Sequence, residues 1–420
     1  MHRRYAKAFY WLKILTKYIS VQLIVQLLNV SSGILLVRAL TKEEYAYLTL
    51  ANSLQATMNI FADSGISSAL SAIGGRVWQD PYRFGQLINT AMQWRRYLAA
   101  IAIAVVTPIL FWMLLQNGAS VYYTILLTAA ILIELNYYLT SGVLEIVPRL
   151  HSQIDRIQRL NLLSASSRIL ILLGSSIFFL NAAVGAFAST ISSGLSNLLL
   201  WHWVKDTVDI KAPINREDQV EILKLVKAQA PTSIFFSVQG QLTVWLISTF
   251  GKTQNIAEVG ALSRLSIMFS IVNSIMANIV IPSFARCQSR QLLLRRYWQI
   301  LIAYFLLATC LIIITFLYPQ QFISIIGSQY ANLNDEVSLT MLSANTGFLS
   351  GLLWSINVSK GWIQDAWLYI PATIATQILL LFVLDVSTVK GVIYFGMYSQ
   401  LPSLVINFYM NYKGFKSFQR

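Results

Sequence analysis

Asn52, Gln55, Asn59 and Asp63 follow one another at intervals of 3, 4 and 4 residues, so on a helix all four project from one face. Gln22, Gln26, Asn29 and Gly33 make a similar stripe, and Ser233, Ser237 and Gln241 a third. Ser263, Arg264, Ser270, Ser274 and Asn278 fall within an arc of about 120 degrees when each residue advances about 100 degrees. All four stripes interrupt apolar stretches, and hydrocarbon satisfies neither amides nor hydroxyls, so the stripes must face other helices or water. One reading is interhelical glue, at about 0.6 kcal/mol per group. Their recurrence in equivalent places in the two halves of the chain points instead to a hydrated cavity whose chemistry is capture and release of a polar cargo.

Arg264 is the sharpest single residue. A mid-helix arginine costs roughly 2.5–3.5 kcal/mol on insertion scales and therefore needs an anionic partner or a wet environment. An ion pair with Asp63 or Glu258 would supply the first. Capture of an anionic substrate group is the functional reading, because the planar fork of donors matches phosphate geometry. Lys17 can assist at the mouth of the first span or snorkel to headgroups. Asp63 and Glu134 are the candidate ion-coupling carboxylates, since ionisable groups inside spans mark ion or proton paths. Glu134, Tyr138, Ser141 and Glu145 share one helix face, with Glu145 close enough to Arg149 for an interfacial pair.

Bond-breaking chemistry finds no support. His2, His151 and His202 lack metal-ligand spacing. Cys287 and Cys310 fall at different depths and suggest no disulfide framework. Phe250-Gly251-Lys252-Thr253 resembles the end of a phosphate-binding loop but lacks the earlier glycine. No cofactor or metal is expected.

These residues must be positioned by helices in lipid. The chain is 56% hydrophobic and 11% charged, far from the balance of a soluble domain. Stretches of roughly 20 apolar residues place spans near 14–37, 45–72, 97–116, 121–147, 160–180, 183–203, 229–250, 257–281, 298–318, 337–358, 362–384 and 391–411. With both termini cytoplasmic, the cytoplasmic side collects 26 of the 31 cations, among them Arg76, Arg83, Arg95, Arg96, Arg149 and Arg168. Arg38, Lys42, Lys252 and Lys390 fall opposite, and Arg264 alone stays inside a span. That asymmetry fixes orientation and span count together. The net charge of +14 is dispersed through short loops, which fits anionic lipid headgroups and argues against a nucleic-acid partner. The basic start runs into a full-length span with no cleavage site, so the first helix is expected to be retained.

The predicted fold is an all-α polytopic membrane protein of about twelve helices in two six-helix lobes, residues 1–203 and 229–420, joined by a cytoplasmic linker at 204–228. A shift of 214 residues aligns the first two helices of each half and matches Lys13 with Lys227, Leu28 with Leu242, Glu44 with Glu258, Leu48 with Leu262 and Asn59 with Asn273. Two lobes of the same topology suit rocking about an axis along the membrane normal.

The segment LLVRALTKEEYAYLTLANSLQATMNIFADSGISSAL, with Arg38, Leu40, Glu44, Tyr45, Ala46, Asp63 and Gly65, resembles the opening of the polysaccharide transporter family, the lipid-linked oligosaccharide (O-antigen) flippases of the multidrug/oligosaccharidyl-lipid/polysaccharide superfamily. Ala46 replaces the usual glycine. The second half is similar around AEVGALSRLSIMFSIVNSIMANIVIPSFAR, with Pro231, Pro282 and Arg286. The resemblance implies two lobes around a central cationic cavity in the bacterial cytoplasmic (inner) membrane. It also implies movement of a polyprenyl-diphosphate-linked oligosaccharide from the cytoplasmic to the periplasmic leaflet by alternating access, for cell-surface polysaccharide biosynthesis. Arg264 would contact the diphosphate or acidic sugars, and Lys17, Gln22, Gln26, Asn29, Asn52, Gln55, Asn59, Gln241 and Asn278 would line the headgroup path. The implied partners are the lipid-linked glycan, membrane lipids and polysaccharide-assembly enzymes. A multidrug exporter of the same superfamily is the main alternative. A polymerase or ligase fits less well, because the largest non-cytoplasmic loop, Pro319 to Glu336, has no Lys, Arg or His.

Overall fold

A computed structural model describes residues 2–266, 269, 276, 280–287 and 289–417, with side chains from Ser20 onward. The chain divides into two compact units, residues 1–241 and 242–420. The first contains α1 (His2–Ala39), α2 (Lys42–Asp63), α3 (Ile66–Val77), α4 (Pro81–Gln116), α5 (Val121–Leu144), α6 (Ile146–Leu150), α7 (Ile154–Phe178) and α8 (Ala182–Val204). Helix α9 (Arg216–Phe250) runs through the boundary. The second unit contains α10 (Thr253–Leu265), α11 (Ile281–Ala285), α12 (Arg290–Leu317), α13 (Pro319–Ile326), α14 (Asn334–Lys360), α15 (Tyr369–Val383), α16 (Val389–Tyr398) and α17 (Leu401–Ser417). No strand occurs among the described residues. Among the described residues, seven stretches are long and apolar enough to cross a membrane unaided: Ser20–Ala39, Pro81–Gln116, Val121–Leu150, Ile154–Phe178, Ala182–Val204, Arg290–Leu317 and Ala366–Val383. Helix α2 falls short because its polar stripe dilutes its hydropathy.

Local chemistry sets the helix starts. Asp80 accepts from the N–H groups of Tyr82 (2.9 Å) and Arg83 (3.2 Å) with Pro81 in the first turn, while Ser120 and Asn181 cap α5 and α8 in the same way. Each satisfies backbone donors that a helix end leaves open.

The second span departs from expectation. The spacing predicts one helix over 45–72, but α2 stops at Asp63 and α3 begins at Ile66. Ser64 (φ 36°) and Gly65 (φ 97°) are both left-handed, a conformation that ends a right-handed helix and suits glycine best. Asp63 bridges the break, accepting from the Ser67 N–H at 3.3 Å and its hydroxyl at 2.5 Å.

Two arginines also move. Arg95, expected in a cytoplasmic loop, lies within α4, because the helix begins sixteen residues earlier than the apolar run at 97–116 suggests. It is 1% exposed. Arg168, likewise expected at the cytoplasmic edge, is half-buried within α7. Arg264 is therefore one of several arginines held inside a helix.

The segment 204–228 packs into the first unit. Val204, Val208, Ile222 and Val226 join Ile73, Phe84, Leu87, Val143 and Val147 in one core. Asn89 Nδ2 holds the carbonyls of Ile210 (2.8 Å) and Ala212 (2.7 Å). Arg83 clamps Asp218 with both terminal nitrogens, Nη2 to Oδ1 at 2.7 Å, and Arg76 reaches Glu221 at 2.6 Å. The start of α9 is amphipathic, so its apolar face is buried against α3 and α4 and its charges pair at the rim. Asp218→Ala should cost about 2 kcal/mol. That is below the 3–5 kcal/mol of a wholly buried pair, because the Arg83 side chain keeps 26% exposure. An unchanged thermal melt of the purified variant would remove this clamp from the fold's support.

In the second unit, α11, α12 and α14 bury Phe284, Leu293, Leu301, Leu353 and Ile356. Helices α14 and α17 are joined by amides, Asn357 Nδ2 donating to Asn407 Oδ1 (3.0 Å) and Asn407 Nδ2 to the Ser350 carbonyl (3.2 Å), while within α17 Asn411 Nδ2 donates to the Asn407 carbonyl (2.9 Å). Polar side chains of one helix here bond its neighbour, at positions outside the four stripes.

Candidate functional site

Helix α2 turns its stripe toward its own unit, where it packs on α4, α5 and α8. Gln55 hydrogen-bonds the Glu134 carboxylate of α5, and Arg168 of α7 acts on it electrostatically. From α8, Ser193 Oγ donates to Glu134 Oε1 at 3.4 Å. Four helices thus converge on one carboxylate in the membrane-spanning region. Asn52 and Asn59 are half-buried on the same face, and Asn59 Oδ1 is buried without a donor.

Lower on the stripe, Asp63 meets Arg95. Arg95 Nη2 donates to Asp63 Oδ1 at 2.8 Å and Nη1 to the Leu139 carbonyl at 3.3 Å. The guanidinium carbon stands 5.1 Å from the centre of the Tyr138 ring, within cation–π range. Room for this comes from Gly142, where a Cβ would lie 1.8 Å from Arg95 Nη1. The cation answering Asp63 is therefore Arg95, which the sequence reading placed outside the membrane. Beside the pair opens a cavity of about 270 Å³, whose polar lining is Ser67, Ser71, Arg95, Tyr138, Ser141, Glu145 and Arg149. Arg149 and Glu145 stand 3.5 Å apart, the interfacial pair expected of them.

Glu44 and Glu258, matched by the 214-residue shift, both receive a downstream segment of their own unit. Glu44 accepts from the Tyr123 hydroxyl and from the Ala182 N–H at 2.7 Å, at the start of α8. Glu258 accepts from Asn332 Nδ2 at 3.3 Å.

The remaining expected site residues are scattered. Gln22 and Asn29 are exposed on α1, and Gln26 is half-buried. Gln241 on α9 and Arg264, one residue before the end of α10, are half-buried. Lys17, Ser270, Asn273, Ser274 and Asn278 lie outside the residues described with side chains. Among the described residues, no three His, Cys, Asp or Glu side chains converge as metal ligands would.

No family model and no curated protein matches the chain. Solved structures do. A multidrug resistance MATE family transporter of the MOP superfamily, in an inward-facing conformation, superposes with a TM-score of 0.75 at 13% identity, over 94% of this chain and 95% of that one. The lipid II flippase MurJ, in an inward closed conformation, gives 0.71 at 12% identity, over 96% and 90%. A MOP superfamily transporter from Pyrococcus furiosus, described as having a binding pocket of reversed polarity, gives 0.61 at 14%, over 96% and 94%. The chain accordingly has the fold of these transporters, an all-α polytopic membrane protein of about twelve transmembrane helices in two six-helix lobes.

Proposed function

We propose that this protein is a flippase that carries a polyprenyl-diphosphate-linked oligosaccharide from the cytoplasmic to the periplasmic leaflet, serving cell-surface polysaccharide synthesis. The observation carrying this reading is the convergence of α2, α5, α7 and α8 on Glu134 within a transporter fold, since an ionisable group at such a place is costly and is retained for work. Arg264 is the residue proposed to take the diphosphate, with Lys17 and the amides of the stripes along the headgroup path. Alternating access then needs the cargo to bind one state better than the other. Glu134 is the stronger of the two ion-coupling candidates, because Asp63 is already engaged by Arg95. One coupled charge moving through 100 mV would supply about 2.3 kcal/mol. The protein sits, on this reading, in the bacterial cytoplasmic membrane with both termini cytoplasmic.

A multidrug exporter is the second reading, favoured by the TM-score of 0.75 to a MATE transporter. Deleting the gene in its host separates the two. Loss of surface polysaccharide, with lipid-linked precursor accumulating inside, is the expected result. Unchanged glycan together with slowed efflux of cationic dyes would replace the flippase by the exporter.

A further inference from the structure

We infer that the cavity between α3, α4, α5 and α6 binds the headgroup of a bilayer phospholipid, a phosphate bearing a primary ammonium group. This site lies inside the first unit and is independent of what the protein transports. Its volume of about 270 Å³ suits a headgroup and is too small for an oligosaccharide. Its charges sum to zero. Arg95 is neutralised by Asp63 and Arg149 stands beside Glu145, so a bare anion would leave one charge unmatched, whereas a zwitterion matches both signs.

The donors and acceptors are divided in the same way. Arg95 is 1% exposed, and its Nε–H has no acceptor in the protein, a buried charged donor of the kind that demands a partner. Arg95 lines the cavity, so a phosphate oxygen placed there would meet its guanidinium, with Arg149 as the second arm. The serines present the opposite character. Ser67 Oγ donates to Asp63 Oδ1 (2.5 Å), Ser71 Oγ to the Ser67 carbonyl (2.9 Å) and Ser141 Oγ to the Tyr138 carbonyl (3.3 Å). With their protons committed, their lone pairs remain to accept, and together with Glu145 they suit an ammonium carrying several N–H donors. Leu70, Gly142 and Ile146 complete the lining and would meet the glycerol and first methylenes. Ser71 and Arg149 open to the exterior at the end of the unit that carries Arg76 and Arg83, the depth at which headgroups lie.

The test is competitive lipid retention. The full-length protein is reconstituted with equal parts of phosphatidylethanolamine, phosphatidylcholine and phosphatidylglycerol, and the lipid kept on extraction is counted by native mass spectrometry. One phosphatidylethanolamine should be retained about tenfold over either competitor, the ratio expected of a charged hydrogen-bond set. Arg149→Ala should reduce that retention about tenfold and Glu145→Gln should erase the preference for the amine. Both positions are partly exposed, so melting curves serve to confirm folding. In delipidated protein, O-phosphoethanolamine should raise the melting temperature where inorganic phosphate does not, which remains readable if either variant fails to fold. Equal retention of the three lipids, a preference for phosphatidylglycerol, or equal stabilisation by inorganic phosphate would each overturn the inference.

Discussion

Replacing Asp63 by alanine is expected to destabilise the protein by about 3 kcal/mol, because it leaves a guanidinium that is 1% exposed without its carboxylate. Arg95 heads the fully buried side chains by volume among the described residues. Of its three nitrogens, one faces Asp63, one the Leu139 carbonyl and one nothing. Without the carboxylate, the buried charge keeps the Leu139 carbonyl, the Tyr138 side chain and a weaker attraction to Glu145. The Ser64–Gly65 break would suffer as well, since Asp63 also caps the start of α3. Asp63→Asn should cost less, because an amide oxygen can still accept from Ser67 and Arg95. In the Asp63→Ala background, Arg95→Met should recover part of the loss, as apolar replacement of both partners of a buried pair often does. Thermal melts of the four proteins measure this. If Asp63→Ala melts like the wild type, or Arg95→Met worsens it further, the pair is not what holds α2 to α4.

Arg264→Ala should lower export of the surface glycan by tenfold or more at normal membrane abundance. An arginine at this depth costs roughly 2.5–3.5 kcal/mol to insert. On the reading proposed above, that cost is offset by a two-pronged grip on a diphosphate. Arg264→Lys keeps the charge and loses the fork, so it should fall between wild type and alanine. Quantitative surface-glycan staining with immunoblotting of membranes checks both. Wild-type export by the alanine variant would remove Arg264 from cargo binding.

Much of the architecture was legible because lipid imposes simple rules. Apolar runs of fixed length and the one-sided placement of cations place the helices and set the polar stripe of α2 apart. The same charge rule misplaced Arg95. Next to Arg96 and close to Arg83, it reads as one more loop cation, yet it continues a buried stripe of Phe84, Ile88, Ala91, Ala99, Ala102, Val106 and Leu110 at steps of three and four. That period, together with a carboxylate at Asp63 in need of a counterion, was the available signal. The break at Ser64–Gly65 was harder to see, because serine and glycine are both tolerated within membrane helices. The docking of 204–228 was hidden for a different reason. Its apolar residues, Val208, Ile222 and Val226, are too sparse to register as a span and become significant only once Ile73, Phe84 and Leu87 offer a surface. Glu134 could be picked out as a carboxylate within a span, whereas its neighbours Gln55, Ser193 and Arg168 come from three other helices and are assembled only by packing.

Reconstitution is the most direct test of transport. Purified protein is placed in vesicles with a fluorescent polyprenyl-diphosphate oligosaccharide, and its arrival in the opposite leaflet is followed by a membrane-impermeant quencher. Protein-dependent crossing is expected, faster under an imposed membrane potential or proton gradient, and slowed by Glu134→Gln and Arg264→Ala. Crossing no faster than in empty vesicles, by protein that melts cooperatively and is correctly inserted, would contradict it.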